Sequence, residues 1–124
     1  MSTLTPYLCV SDSRAAIEWY GEVFQAAVKG TPYVMEDGRI GHVELEIGDA
    51  LLMMADPFPE VDVEPPQPSN GSAVSLHLQV PDCDAVVAAA LRMGARIDRG
   101  PESSSHGRSA TFRDPFGHRW MVSS

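Results

Sequence analysis

The residues whose types could do chemistry alternate with apolar residues along two similar stretches of the chain. In residues 4–10 and again in residues 73–80, every second side chain can form hydrogen bonds. Successive side chains of a β-strand point to opposite faces of a sheet, so these positions share one face of each predicted strand. They are Thr5, Tyr7 and Cys9, and then Ser75, His77 and Gln79.

Other predicted strands add side chains to the same face. His42 and Glu44 alternate with apolar residues, and Thr111 and Arg113 match them in the second half of the chain. The last strand of each half and the aromatic Phe58 are expected to add apolar contacts. The predicted ligand-binding residues are therefore Tyr7, His42, Glu44, Leu52, Met54, Phe58, His77, Gln79, Arg113 and Met121. Trp120 falls on the opposite, helix-facing side and is predicted to lie in the core.

This mixed face has two interpretations. An apolar lining with a few convergent polar groups is typical of a small-molecule pocket. One face of an antiparallel sheet can also be polar simply because it is solvated. The recurrence of polar residues at equivalent places in two halves favours the pocket.

No catalytic constellation is evident among the candidate nucleophiles. Ser75 and His77 lie two residues apart on one predicted strand, but no orienting carboxylate or glycine elbow accompanies them. Cys9 has no basic neighbour in sequence that would lower the pKa of its thiol. Cys9 and Cys83 have no CxxC spacing, so neither a disulfide framework nor a thiolate metal site is predicted. We expect no catalytic residue and no cofactor.

The elements that must position these residues occur in the same order twice. Capping oxygens in residues 11–13 and at Asp82 each precede an apolar stripe with helical spacing. The predicted elements of the first half are a strand (4–10), a helix (14–24) and strands at 28–35, 40–47 and 50–54. Those of the second half are a strand (73–80), a helix (85–93) and strands near 95–97, 109–113 and 118–122.

The two halves superpose with a nearly constant offset. An offset of 70 residues aligns residues 10–12 with residues 80–82, and an offset of 69 aligns Gly48 with Gly117. This repeat predicts an α+β fold of two tandem βαβββ modules, with curved mixed sheets forming a cleft and helices on the outer face. We expect a single domain over residues 1–124, with modules at about 3–55 and 73–124 and a linker at 56–72 that is rich in proline.

Composition narrows the possible partners. A net charge of -8 would repel a phosphate backbone or an anionic lipid surface, so nucleic acid and membrane are not expected partners. The charge could attract a cationic small molecule or could simply maintain solubility. The low cysteine content, and the lack of a leader or of a membrane-spanning stretch in the sequence, predict a cytoplasmic protein.

Several segments together resemble a known superfamily. They read PYL at residues 6–8, AAIEWY at 15–20, GHVELEIGD at 41–49, MADPFPE at 54–60 and DPFGHRW at 114–120. The chain resembles vicinal-oxygen-chelate domains, the glyoxalase, bleomycin-resistance and extradiol-dioxygenase superfamily. Its segments are most similar to the branch named after the phosphonate-operon accessory protein.

The resemblance implies four positions that hold a metal ion in the enzymes of this superfamily. They fall on Thr5, on Leu52 or its neighbour Met53, on Ser75 and on Met121. None of these residues is an imidazole or a carboxylate, the donors that this chemistry uses, so a metal-free protein is predicted. The alternative is a relocated metal site formed by His42, Glu44 and His77.

The resemblance therefore favours a metal-free protein that sequesters an antibiotic or another aromatic or peptidic natural product. Alternatives are a metal-dependent lyase, isomerase or dioxygenase with a relocated site, and a structural partner without a ligand. Domains of this kind usually form homodimers, so a homodimer is expected. The long linker leaves open whether one module is exchanged between chains.

Overall fold

Each half of the repeat folds as a separate unit in the computed structural model, which describes residues 1–69 and 71–124. The units are Met1–Pro66 and Gln67–Ser124. The first contains β1 (Tyr7–Cys9), α1 (Ser13–Phe24), β2 (Ala27–Val34), β3 (Ile40–Ile47) and β4 (Ala50–Ala55). The second contains β5 (Ser75–Gln79), α2 (Cys83–Arg92), β6 (Arg96–Ser104), β7 (Gly107–Arg113) and β8 (Arg119–Ser123).

The two helices begin in the same way. Asp12 and Asp82 have extended backbones, and their side chains accept hydrogen bonds from the backbone N–H groups of Ala15 and Ala85, each at 3.1 Å. Each aspartate thus satisfies a helix N–H that has no partner within the helix. The predicted caps are confirmed. Neither helix in the described part of the chain has the length and apolar character needed to cross a membrane.

The sheets of the two units share one topology. The strand orders are β1-β4-β3-β2 and β5-β8-β7-β6. The first pair in each sheet is parallel and the others are antiparallel. The predicted α+β fold of two βαβββ modules with mixed sheets is therefore confirmed.

One face of each sheet is apolar and buried beneath its helix. In the first unit this face consists of Leu8, Val10, Val43, Leu45, Leu52 and Met54, none of which is more than 9% exposed. In the second unit it includes Ala110, Phe112, Trp120 and Val122. Trp120 is 3% exposed, so its predicted place in the core is confirmed.

The prediction that Leu52 and Met54 lie on the polar face is wrong. Leu52 pairs with Leu45 and Met54 with Val43, so both belong to the buried face. Met53 occupies the polar face instead, since it pairs with Tyr7. The reason is that the hairpins differ in length: residues 45–52 separate the pair Glu44 and Met53, whereas residues 112–120, one residue more, separate the matching pair Thr111 and Met121. The unequal loops shift the repeat by one residue, and a one-residue shift reverses the face of every side chain.

The predicted linker contains local structure. After β4 the chain forms a short 3₁₀ turn at Pro59–Val61. Around it, Phe58 and Val63 exchange backbone hydrogen bonds of 2.8 and 3.1 Å, each residue donating to the other. This turn and bridge form a folded segment, residues 57–64, on the first unit. In the second unit, β6 is longer than the short strand predicted near residues 95–97.

A buried carboxylate joins three elements of the first unit. Asp56, 8% exposed, follows β4 directly. Its Oδ1 accepts from the backbone N–H of Ser13 and its Oδ2 from that of Ile40, both at 2.7 Å. Its own N–H donates to the carbonyl of Ile40 at 2.8 Å. The start of α1, the start of β3 and the end of β4 therefore meet at this residue.

We predict that Asp56→Asn destabilises the protein. Asparagine offers only one acceptor oxygen, so its amide group would face one of the two N–H donors. We expect the free energy of unfolding to fall by about 2–3 kcal/mol in urea titrations. The control is Asp49→Asn, in the exposed β3–β4 turn, which should change it by less than about 0.5 kcal/mol. Equal effects of the two substitutions would contradict the structural role of Asp56.

Candidate ligand-binding site

Three of the predicted site residues meet on the polar face of the first sheet. Tyr7 on β1 pairs with Met53 on β4, and Met53 pairs with Glu44 on β3. Paired residues point to the same side of a sheet, and His42 lies two residues before Glu44 on the same strand. The alternation read from the sequence thus places Tyr7, His42 and Glu44 together.

These three side chains form a continuous chain of hydrogen bonds. The Tyr7 hydroxyl donates to the Gly41 carbonyl at 2.8 Å and lies 2.9 Å from His42 Nδ1. His42 Nε2 lies 3.0 Å from Glu44 Oε2. The rings of Tyr7 and His42 also contact each other edge to face, with centroids 5.2 Å apart. The imidazole is therefore held on both nitrogens.

The direction of these bonds depends on the charge of His42. An ionised carboxylate only accepts, so Nε2 must carry the proton that is donated to Glu44. If the Tyr7 proton points to Gly41, then Nδ1 must also carry a proton and His42 is an imidazolium. If His42 is neutral, Nδ1 accepts the Tyr7 proton and the bond to Gly41 is lost. A single imidazole proton thus decides where the Tyr7 hydroxyl points.

Tyr7 also lines a cavity of about 640 Å³ in the first unit. On the sheet the cavity is lined by residues that include Tyr7, Cys9 and Tyr33, and the folded segment 57–64 contributes the others, from Phe58 to Glu64. The apolar lining includes Tyr33, Met35, Phe58, Val61 and Val63. Two acidic residues, Asp62 and Glu64, complete it, and no Lys, Arg or His among the described residues lines it.

Arg39 holds the folded segment against the sheet. Its guanidinium lies 4.0 Å from the centre of the Phe58 ring and donates to the Pro57 carbonyl at 3.1 Å. The same group makes a two-pronged contact with Glu60, at 3.1 and 2.8 Å, and its Nε donates to Asp37 at 2.8 Å. Such paired contacts fix the carboxylate in direction as well as distance.

The ion pairs shift the pKa values of the side chains that form them. Hydrogen bonds from Arg39 lower the pKa of Glu60 to about 2. The backbone N–H of Arg39 is the largest cause of the lowered pKa of Asp37. The hydrogen bond with Glu60 is the main cause of the raised pKa of Arg39. All three groups are charged at neutral pH, so the guanidinium is already balanced by two carboxylates.

The Cys9 thiol in the cavity is not activated. Burial raises its pKa, and the nearby carboxylates of Asp56 and Glu64 raise it further. The thiolate is the nucleophilic form of cysteine, so a raised pKa makes this side chain less reactive. Its position in the cavity is therefore consistent with lining rather than covalent chemistry.

The remaining predicted residues lie on the polar face of the second sheet. His77 pairs with Met121, and its Nε2 lies 3.0 Å from the Ser123 hydroxyl. Arg113 lies on β7 with its Nε 3.8 Å from an Asp98 oxygen. Gln79, on β5, is exposed. The structure thus divides the predicted set between the two units. Tyr7, His42, Glu44, Phe58 and the buried Leu52 and Met54 lie in the first, and His77, Gln79, Arg113 and Met121 lie in the second.

Sequence reasoning missed Tyr33, Met35 and Arg39. The register of β2 against β3 shifts twice, between Lys29 and Tyr33 and again before Val34, so strict alternation cannot assign the face of Tyr33. The proline-rich composition after β4 predicted a linker, so the contact between Arg39 and Glu60 in this segment was not predicted. One sequence signal did point to the part of the cavity formed by residues 57–64. It was the motif MADPFPE at residues 54–60, which carried part of the family resemblance.

Comparisons with known proteins agree with the fold. A sequence model of the Glyoxalase/Bleomycin resistance protein/Dioxygenase superfamily matches residues 3–122. An uncharacterized protein of Mycobacterium bovis is 34% identical over 123 residues, which cover 96% of this chain and 80% of that protein.

Solved structures share the fold at lower identity. Protein PA1353 from Pseudomonas aeruginosa superposes with a TM-score of 0.77 at 21% identity, over 99% of this chain and 97% of that one. The fosfomycin resistance protein FosX from Mesorhizobium loti gives a TM-score of 0.70 at 17% identity, over 98% of this chain and 90% of that one.

We predict that the Glu60 contact with Arg39 is lost only in strong acid. The folded-state pKa of Glu60 lies below its ordinary value, so the contact stabilises the fold above that value and disappears as the pH falls through about 2. Carboxyl NMR should show Glu60 titrating near pH 2, together with resonances of Phe58. The Glu60→Gln variant should lack this titration at Phe58, and an ordinary pKa for Glu60 would contradict the contact.

We also predict the tautomer of His42. In the neutral state its proton should reside on Nε2, because Glu44 can only accept while the Tyr7 hydroxyl can donate to Nδ1. Nitrogen-15 NMR of the imidazole ring distinguishes the two nitrogens, with the exposed His106 as an internal reference. In Glu44→Ala this preference should weaken towards that of His106. A proton on Nδ1 in the native protein would contradict the proposed bonding.

Proposed function

The chain belongs to the Glyoxalase/Bleomycin resistance protein/Dioxygenase superfamily, and we propose that it binds a small organic molecule in the cavity of its first unit. The observation that carries this proposal is the cavity itself. Its volume of about 640 Å³ lies within the range of ligand pockets, and its lining is mainly apolar with few polar groups. Rings of Tyr7, Tyr33 and Phe58 offer large contact areas.

The residues at the positions implied for a metal do not fit one. The resemblance implies Thr5, Ser75 and Met121, together with Met53 rather than Leu52, because Met53 is the residue that pairs with Tyr7 on the polar face. Hydroxyl and thioether groups are poor ligands for the cations this chemistry uses, and the Ser75 hydroxyl already accepts from Arg119 at 2.6 Å. No group of three or more His, Cys, Asp or Glu in residues 1–69 and 71–124 is placed to hold a metal ion. The binding proposed for the cavity does not use a metal ion.

Binding without chemistry is the activity that these features support. A protein that only sequesters a molecule needs apolar area and a few hydrogen-bonding groups to orient the ligand. The cavity supplies the area, and the Tyr7 hydroxyl, which lies 2.8 Å from the Gly41 carbonyl and 2.9 Å from His42 Nδ1, supplies a polar group. Resistance to an antibiotic is a fitting role, since the similar FosX structure is named a fosfomycin resistance protein. The homodimer and the cytoplasmic location expected from sequence stay predictions.

Binding of aromatic fragments tests the proposal. We expect 2-phenylethylamine, 2-phenylethanol or 3-phenylpropionate to shift amide NMR signals of Tyr7, Tyr33 and Phe58 in a saturable way. If none of the three moves these signals at any soluble concentration, the cavity is not a ligand site and the proposal fails.

We predict that Tyr33→Ala weakens fragment binding about tenfold with little loss of stability. Tyr33 is 64% exposed, so its ring contributes contact area to a ligand rather than to the core. The matched control is Val28→Ala, on the same strand, which does not line the cavity. NMR titration gives the dissociation constants, and urea unfolding gives the stabilities. Equal dissociation constants for the two variants would contradict the assignment of Tyr33.

A further inference from the structure

We propose that this cavity selects organic cations, molecules that carry an ammonium or guanidinium group on an apolar body. The inference rests on the proposed function and names its ligand class. It follows from the charges and the rings that line the cavity. Asp62 and Glu64 are part of the lining, whereas no basic residue in the described part of the chain is. An anionic ligand would be repelled by these two like charges, which are exposed and therefore sensitive to salt.

The nearest basic groups do not offset these carboxylates. Arg39 contacts Phe58, but its guanidinium is paired with both Glu60 and Asp37. His42, when it is charged, is paired with Glu44 at 3.0 Å. Each of these cations has at least one carboxylate of its own. Asp62 and Glu64 are therefore the charges that a ligand in the cavity meets without compensation from the lining.

The aromatic rings of the lining also favour a cationic ligand over an anionic one. The faces of aromatic rings are negative, so a cation positioned over Tyr or Phe is attracted by the ring. Three rings, those of Tyr7, Tyr33 and Phe58, line the cavity. The described residues already include such an interaction, because the Arg39 guanidinium lies 4.0 Å from the centre of the Phe58 ring. A ligand cation would use the same chemistry on the rings that face the cavity.

Nearby carboxylates also affect the pKa of the Cys9 thiol in the cavity. After burial, the carboxylates of Asp56 and Glu64 are the causes that raise its pKa. A group that is harder to ionise to an anion because of neighbouring carboxylates lies in a negative potential. The same potential favours a cation bound beside it.

The test compares three fragments of similar size and different charge. Near neutral pH, 2-phenylethylamine is a cation, 2-phenylethanol is neutral and 3-phenylpropionate is an anion. We expect the cation to bind about tenfold or more tightly than the neutral fragment in NMR titrations, and the anion to bind most weakly. Raising the salt concentration should narrow this difference, because exposed charges are screened.

A matched pair of double variants locates the origin of the preference. Asp62→Asn with Glu64→Gln removes the two carboxylates of the cavity, and we expect the cation to lose about tenfold in affinity while the neutral fragment changes little. Asp49→Asn with Glu22→Gln removes the same net charge from an exposed turn and from α1, and should leave the preference intact. Thermal melts of both double variants check that the fold is retained.

The outcomes separate this inference from the proposed function. If the three fragments bind equally, or if the anion binds best, the cavity is a ligand site without cation selectivity and the inference is overturned. Equal loss of the preference in both double variants would also overturn it, because the effect would then come from net charge alone. If no fragment binds, the proposed function fails first.

Discussion

The buried carboxylate of Asp56 is the contact on which the geometry of the first unit depends. It accepts from the backbone of Ser13 and of Ile40 at 2.7 Å, so it fixes where α1 and β3 begin relative to the end of β4. Both contacts use an ionised acceptor away from water, where such hydrogen bonds are strong. The neighbours of these contacts lead to the cavity. Arg39 directly precedes Ile40, Pro57 directly follows Asp56, and the Arg39 guanidinium donates to the Pro57 carbonyl. Asp56 therefore fixes the point at which the folded segment leaves the sheet and the start of the strand that follows Arg39.

The second unit uses a buried aspartate differently, although it repeats the same fold. Asp114, 4% exposed, accepts from the backbone of Phe116 and His118 and from the indole N–H of Trp120. These partners belong to its own hairpin and to the strand that follows. Asp114 therefore stabilises a local turn, whereas Asp56 joins three elements and leads into a folded segment. The two units thus share a topology but use their buried aspartates for different contacts.

Sequence patterns predicted what depends on local chemistry and failed where two distant segments meet. The caps at Asp12 and Asp82 and the alternation of Tyr7, His42 and Glu44 follow from short-range rules, and the structure confirms them. The faces of Leu52 and Met54 depended on the length of a hairpin loop, which an alignment of glycines cannot give. The contact of Arg39 with Glu60 spans 21 residues, and no periodic pattern records such a pair.

The two kinds of contact around the cavity differ in strength, and this difference bears on how a ligand enters. The base of the wall is held by the buried Asp56, whereas its outer part is held by Arg39 and Glu60, whose side chains are 33% and 55% exposed. Exposed ion pairs contribute little to stability, while hydrogen bonds to buried charges contribute more. Local opening of residues 57–64 should therefore require less free energy than unfolding of the unit, as is common for segments that cover binding sites. A ligand that contacts both Phe58 and the sheet would add apolar contacts between them and so stabilise the observed position of residues 57–64.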